Sequence, residues 1–397
     1  RFIPAWAIIR AMPLLPLSPI DHVFTGSGAY PIEFVFAYEG AIEAGRLEAS
    51  LRKAIEAFPP VGSRFVRLDE SSLAFEPYEG GCVFSVASSP AEWAATERKD
   101  VFLDPVSGKE GEPLGRALLT RTPNGCVLGF SLSHAVADGY SFFHFLTSWA
   151  RIFRGEPILP PTHDRAALAA GLDGVPEGDA ADAAGLFRAG PRPEVDRAHL
   201  TIHRHVLTRA DLVARHAEAQ EGNPLRLSHN DTAAAWLWKT RLAEWSGDDP
   251  SLETYVSCPV DFRRLLPAAG PAYFGNAVAL AKASTPKGEL AAVPLGELAT
   301  RVRRAVDAVD AEAARRSLAA LETLRRTEGL AAMEECHVVH PAQGLLLTNL
   351  SRLPVAEVAF DAGPPVAFEI LTPGVRGAVA LPVPDGGLDL RVFLPSA

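Results

Sequence analysis

Ser131-Leu-Ser-His134-Ala-Val-Ala-Asp138-Gly139 decides how this chain is read. Upstream, Pro123-Asn124-Gly125 separates two alternating runs, Ala117-Leu-Leu-Thr-Arg and Cys126-Val-Leu-Gly-Phe-Ser-Leu-Ser. Turn residues between alternating runs predict a β-hairpin. Downstream, Ser141-Phe-Phe-His-Phe-Leu-Thr-Ser-Trp-Ala-Arg-Ile-Phe has the apolar density of a buried helix, closed by Gly155 and Pro157. His134 is therefore expected where a rigid strand ends and the backbone turns, a place where scaffolds hold reactive groups. An imidazole there can take a proton from a hydroxyl or amine, because its unperturbed pKa is about 6.5. Taken alone, an H-x-x-x-D is more often a satisfied core histidine followed by an N-cap aspartate. The surroundings change that reading.

Outward from the hairpin, the N-terminal half alternates strands and helices. Ile32, Phe34, Phe36 and Tyr38 recur with period two; Leu47, Leu51 and Ile55 recur every fourth residue until Pro59-Pro60. Further strands are expected at Arg64–Leu68 and Val83–Ala87. Ile3-Pro4-Ala5-Trp6-Ala7-Ile8-Ile9 reads as a strand or edge segment, too short and Pro-interrupted for the core of a signal peptide. From Gly155 to about Arg197 prolines mix with Gly, Ala and Asp and periodicity fades, which marks a long crossover. Beyond it lie a strand at Thr201–Leu207, a helix at Thr232–Ala243 capped by Asn230 or Asp231, and a strand at Thr254–Pro259. An Ala/Arg-rich helical stretch runs from Gly288 to about Arg326, with strands at Gly344–Asn349 and Leu388–Phe393. The second half has no H-x-x-x-D, so a single histidine site is expected at the interface of the halves, a common place for ligand pockets.

With 397 residues the chain suits two domains of about 150–200 residues each. A formal net charge of −10 argues against a nucleic-acid binder, yet an anionic small ligand needs only a local cationic patch. Cys82, Cys126, Cys258 and Cys336 show no paired spacing and read as reduced thiols of a cytoplasmic protein. No apolar run approaches the ~20 residues that cross a bilayer, so no membrane partner is expected. Arg far outnumbers Lys and Ala is abundant, as in a GC-rich bacterial genome.

The pattern S-H-x-x-x-D-G, followed by a helix ending in Trp149-Ala150-x-x-x-Arg154-Gly155, resembles the BAHD acyltransferases. Leu17-Ser18-Pro19-Ile20-Asp21 is similar to that family's opening segment, and Asp164-Arg165 to the Asp-Arg after the helix. Val260-Asp261-Phe262-Arg263 and Tyr273-Phe274-Gly275-Asn276-Ala277 match its central motif pair, so the likeness spans nearly the whole chain. Near the C-terminus Ala359-Phe360-Asp361-Ala362-Gly363-Pro364-Pro365 departs from the family's D-F-G-W-G, and Thr348-Asn349-Leu350 stands where a T-S-W is usual. The resemblance implies an α/β fold of two chloramphenicol-acetyltransferase-like domains. Each would be a mixed β-sheet with flanking helices, with the active site at the domain interface. The expected division is residues 1–165 with the histidine, a linker over 166–197, and a second domain over 198–397.

The implied activity is transfer of an acyl group from acyl-CoA, as co-substrate, to a hydroxyl or amine of a small metabolite, plausibly a natural product. His134 would be the general base, with no bound cofactor and no metal. The resemblance pairs Asp138 with Arg263 and makes Asp138 a support of the base; Gly139 would permit a tight turn. Gly275 and Asn276 belong to the structural motif, organising the loop after the central strand. Thr348 would donate to the oxyanion. Arg264, Arg301 and Arg304 are candidates for the phosphates of CoA, against a solvated helix face for the last two. His199, His203 and His205, and Glu334, Cys336, His337 and His340, contain metal-ligand types but no zinc spacing. Gly26-Ser27-Gly28 and Ser107-Gly108-Lys109 read as turns.

Two alternatives stand beside this reading. Condensation domains of peptide synthetases share the architecture, take the acyl group from a carrier protein and usually read H-H-x-x-x-D-G; Ser133 replaces their first histidine. A non-catalytic binding protein that kept the fold would explain the altered C-terminal motif, and the His134, Asp138, Gly139 and Arg263 set argues against it. A monomer is expected.

Overall fold

The computed structural model describes residues 14–26, 29–170, 172, 179–193, 200–242, 249–372, 374 and 376–395. The segment read as an N-terminal strand, the Ser27-Gly28 turn and His199 lie outside them.

The hairpin forms as its turn residues predict. Gly115–Thr122 pairs antiparallel with Gly125–Ser133. Gly125 adopts a φ of 153°, and a Cβ there would sit 2.0 Å from the Tyr38 carbonyl oxygen, so only glycine lets the next strand approach. Pro31–Tyr38 pairs with the other edge of Gly125–Ser133, and Val83–Ser88 runs parallel to Gly115–Thr122. Ala367–Ile370, from far down the chain, completes this five-stranded mixed sheet beside Pro31–Tyr38. The apolar strand faces bury against two helices, Ala44–Ala57 and Gly139–Arg154. Trp149 joins those helices by donating its indole N–H to Ser50 Oγ at 2.9 Å. Gly155, at φ 76°, ends the second helix in the left-handed conformation.

The other sheet is six-stranded and also mixed, in the order Val278–Pro286, Glu253–Asp261, Gly344–Asn349, Gly377–Pro382, Leu388–Pro395, Leu200–Leu207. Helices Arg209–Gln220, His229–Leu237 and Leu295–Asp307 cover its core. A three-stranded sheet built on Ser63–Asp69 and Ser72–Pro77 flanks the first half.

Several elements differ from expectation for local reasons. The helix expected at Thr232–Ala243 starts at His229 behind Ser228, whose hydroxyl accepts the Asp231 N–H while Asp231 accepts the Ser228 N–H. This S-x-x-D capping box outcompetes Asn230 and Asp231 as the cap. The Ala/Arg-rich stretch divides into Lys287–Leu290, Leu295–Asp307 and Ala311–Glu334. Pro294 stands at one break, and Asp310 caps the next helix by accepting the Ala313 N–H at 2.7 Å.

The two cores do not follow chain order throughout. The Ala311–Glu334 helix buries Leu318, Leu321 and Leu324 in the core of the first sheet, which also takes the Ala367–Ile370 strand. Between these two elements in the chain, Phe360 packs on Trp149, Phe153 and Tyr38, and Arg46 pairs with Asp361 at 2.6 Å. The altered C-terminal motif is thus an anchor that fastens the second half of the chain onto the first.

Candidate active site

His134 follows directly on the last strand residue, Ser133, and four residues later Asp138 caps the Gly139–Arg154 helix by accepting the Ser141 N–H at 2.9 Å. The intervening turn has three consecutive carbonyls that no sheet ladder satisfies. Asn276 Nδ2 donates to the His134 oxygen at 2.9 Å and the Ala135 oxygen at 3.3 Å, and Arg165 donates to the Val136 oxygen at 2.9 Å. Asp21 holds both donors in place: its carboxylate accepts from Asn276 Nδ2 at 2.8 Å and from Arg165 Nε at 2.9 Å. Asp21, Arg165 and Asn276 are all buried. Asn276 therefore does more than order its own loop; it clamps the histidine turn.

Asp138 also binds Arg263 in a two-pronged contact, Nη1 to Oδ2 at 2.8 Å and Nη2 to Oδ1 at 3.0 Å. Arg263 reaches the Gly275 carbonyl, at 3.0 Å, and Ser141 Oγ, at 2.7 Å. The Ala277 N–H donates to Asp138 Oδ2 at 2.9 Å. Burial alone would raise the Asp138 carboxyl, but the guanidinium and these donors hold it below the ordinary carboxylate value. Gly275 lies close over Tyr273, whose hydroxyl a Cβ would meet at 2.6 Å. One expectation changes here. Gly139 is the first residue of the helix, and a Cβ on it would meet only Leu350, at an ordinary 3.8 Å. Turn sterics do not demand glycine at this position; it lines the cavity beside the histidine instead.

The imidazole of His134 stacks on Phe24 with ring centroids 3.9 Å apart and planes 15° apart, while Tyr30 meets it edge-on at 5.7 Å. Burial pushes its pKa down, opposed in part by the Asp138 charge and the Asn276 side chain. It faces an apolar cavity between the two sheets. Ile32, Phe34 and Ile370 come from the first sheet; Leu346, Thr348 and Phe393 come from the second. Thr348 lines the same cavity as the histidine. Arg264 is exposed and lines no cavity wall near it, because its side chain follows the buried Arg263 onto the outer surface. Arg301 is engaged by Glu297 and Thr285, and Arg304 is exposed. An open groove beside Arg352 gathers Arg226, His216 and His229 with no carboxylate in its lining. The sequence reading missed it, since its members come from separate elements.

His205 meets the side chains of Arg241 and Trp236, whereas His337 and His340 serve the backbone. His337 Nε2 lies 2.8 Å from the Gly190 carbonyl, and His340 Nδ1 accepts the N–H groups of Ala342 and Gln343.

Comparison with known proteins agrees with this geometry. The model of the Transferase family matches residues 13–397. Hydroxycinnamoyl-CoA:5-hydroxyanthranilate N-hydroxycinnamoyltransferase of Avena sativa is 30% identical over 352 residues, covering 82% of this chain and 77% of the relative. Shikimate O-hydroxycinnamoyltransferase of Nicotiana tabacum is 24% identical, covering 88% and 84%. The fold is shared with TRI101 of F. graminearum, crystallised with coenzyme A and T-2 mycotoxin, at a TM-score of 0.76 and 15% identity over 97% of this chain and 95% of that one. Vinorine synthase follows at 0.72, with 19% identity over 97% and 91%. The histidine turn between two mixed sheets, its ion pair across the halves and a family match over almost the whole length place the chain in the Transferase family, the acyl-CoA-dependent BAHD acyltransferases.

Proposed function

We propose that this enzyme moves an acyl group from acyl-CoA directly to a hydroxyl or amine of a small metabolite, with His134 as the base. The observation that carries this reading is the half-buried imidazole at a clamped strand end, facing an apolar cavity between the sheets. His134 takes the acceptor's proton as its oxygen or nitrogen attacks the thioester carbonyl. The C–S bond then breaks, and the departing CoA sulfur receives the proton from the imidazolium. Thr348, on the facing wall, donates to the oxyanion; Asp138 and Arg263 position the turn without touching substrate.

The carboxylate-free groove of Arg226, Arg352, His216 and His229 takes the CoA phosphates in place of Arg264. It adjoins the cavity through the chain itself, since Leu350 and Leu353 line the cavity and Arg352 lies between them. That juxtaposition favours CoA over a carrier protein as donor. The enzyme is assigned as a monomer, and the four cysteines are free and buried, in keeping with the cytoplasm.

No protein nucleophile takes part. Burial pushes the thiols of Cys126 and Cys336 up to about 11 and that of Cys258 to about 12, with Cys82 higher still, so none supplies thiolate at neutral pH. Donor alone should leave the intact protein mass unchanged, and initial-rate plots should intersect. His134→Ala should lower turnover by about two or more orders of magnitude in a folded protein that still binds donor. Near-normal turnover of that variant, or a mass increase of one acyl group on a residue essential for turnover, would overturn the reading.

A further inference from the structure

We infer that the acyl group this enzyme accepts is a short, uncharged aliphatic one, neither a dicarboxylic nor a hydroxycinnamoyl group. The inference rests on the acyl-CoA reading above and concerns what the cavity beside His134 can hold.

Its walls are Ile32, Phe34, Leu346, Leu350 and Val379, and the hydroxyls of Tyr30, Thr348 and Thr372 are the polar side-chain groups besides the imidazole. Among the described residues no carboxylate, lysine or arginine side chain reaches the lining. Thr372 Oγ1 already accepts the Glu33 N–H at 3.1 Å. A carboxylate in this space would lose its hydration without gaining a cation, a cost that excludes an ionised acyl group. The free volume is about 100 Å³. An apolar cavity of about 150 Å³ holds benzene, so a hydroxycinnamoyl ring with its alkene exceeds this space, as does a branched four-carbon acyl group of benzene's own size, whereas a two- or three-carbon acyl group fits. The direction of entry supports assigning the space to the acyl group. Arg352 of the groove stands in the chain between Leu350 and Leu353, which line the cavity with Thr348 and His134, and this is the route assigned to the pantetheine arm. The acceptor has the opposite mouth, where Ile370 and Phe393 are shared with a wide, charged recess containing Arg98, Arg204, Glu369 and Arg391.

Calorimetric titration of the intact protein with CoA, acetyl-CoA, propionyl-CoA, malonyl-CoA and p-coumaroyl-CoA tests this without knowledge of the acceptor. Each buried methylene is worth about fourfold. Propionyl-CoA should therefore bind about fourfold tighter than acetyl-CoA, and malonyl-CoA and p-coumaroyl-CoA no tighter than CoA itself. Leu353→Ala, which widens the cavity at its rim, should improve p-coumaroyl-CoA relative to propionyl-CoA. Tightest binding of malonyl-CoA or p-coumaroyl-CoA to the unmodified protein, or equal binding of all thioesters, would overturn the inference while leaving the donor reading intact. Failure of CoA itself to bind would remove both.

Discussion

A base that is already protonated cannot accept a proton, so the behaviour of the His134 imidazole below neutrality bears directly on activity. Burial, with Phe24 stacked on the ring, disfavours the cation. The neutral form consequently persists to lower pH than in an ordinary histidine. The acid limb of a kcat/KM against pH profile should have its midpoint below the usual value of about 6.5; a midpoint above 7 would mean that a carboxylate, not burial, sets the proton affinity. Asn276 permits a second test. Its amide N–H groups serve three acceptors, Asp21 Oδ1 and the carbonyls of His134 and Ala135. Asn276→Asp keeps the shape but opposes acceptor to acceptor and sets a second carboxylate against Asp21. A loss of about 3 kcal/mol or more in unfolding free energy is expected, with turnover reduced in whatever remains folded; a wild-type melting curve would show that the clamp is dispensable. At this scale the sequence was informative where a residue's neighbours in the chain define it. His134 and Asp138 stood out because a strand, a turn and a helix start follow one another within nine residues. Phe24 and Asp21 lie more than a hundred positions from the histidine turn and Arg165 lies 29 from the carbonyl it binds, so no local pattern reveals these contacts.

Two elements meet at the Asp138–Arg263 pair: the start of the Gly139–Arg154 helix and the loop after the Glu253–Asp261 strand. Both side chains are nearly inaccessible, so removing either strands the other's charge. Asp138→Ala and Arg263→Ala should each cost about 3–5 kcal/mol. The double variant should be less damaged than the sum of the singles, and strictly additive losses in chemical denaturation would show that the pair is uncoupled. Elements with strong local signals could be read directly: the Gly115–Ser133 hairpin, the Ala44–Ala57 helix, the Gly344–Asn349 strand. Others escaped because their cues are weak or compete. Ala367–Ile370 is only four residues long, and Gly377–Pro382 is bordered by Gly and Pro, so neither carries a run of alternation long enough to stand out. The Ala/Arg-rich stretch has continuous helical composition, and only Pro294 and Asp310 show where it is interrupted.

Across the whole molecule, buried imidazoles set a limit on acid tolerance. His22 donates from Nδ1 to the Ser18 carbonyl at 2.8 Å and accepts the Leu73 N–H on Nε2, an arrangement only the neutral ring can make. Burial lowers it and His163 to about 4. Between that value and about 6.5 the unfolded chain binds protons that the folded one refuses, so stability is full above this window and falls as pH drops through it. Melting temperature should decline from pH 6.5 to 4.5, and His22→Gln should flatten that decline; an unchanged slope would exonerate this histidine. The two-sheet architecture was legible from the order of motifs, but the exchange between halves was not, because pairing over more than three hundred residues leaves no mark in a local window. That exchange bears on how the protein is made. The apolar strand Pro31–Tyr38 receives its outer neighbour only when Ala367–Ile370 arrives, and the Val366 N–H reaches the Ala37 carbonyl at 2.8 Å just ahead of it. During synthesis at about 5–20 residues per second, the nascent chain therefore carries a naked, sticky edge for many seconds before the ribosome delivers its cover. A fragment terminated before residue 366 keeps that edge for good and should aggregate or recruit chaperones rather than fold.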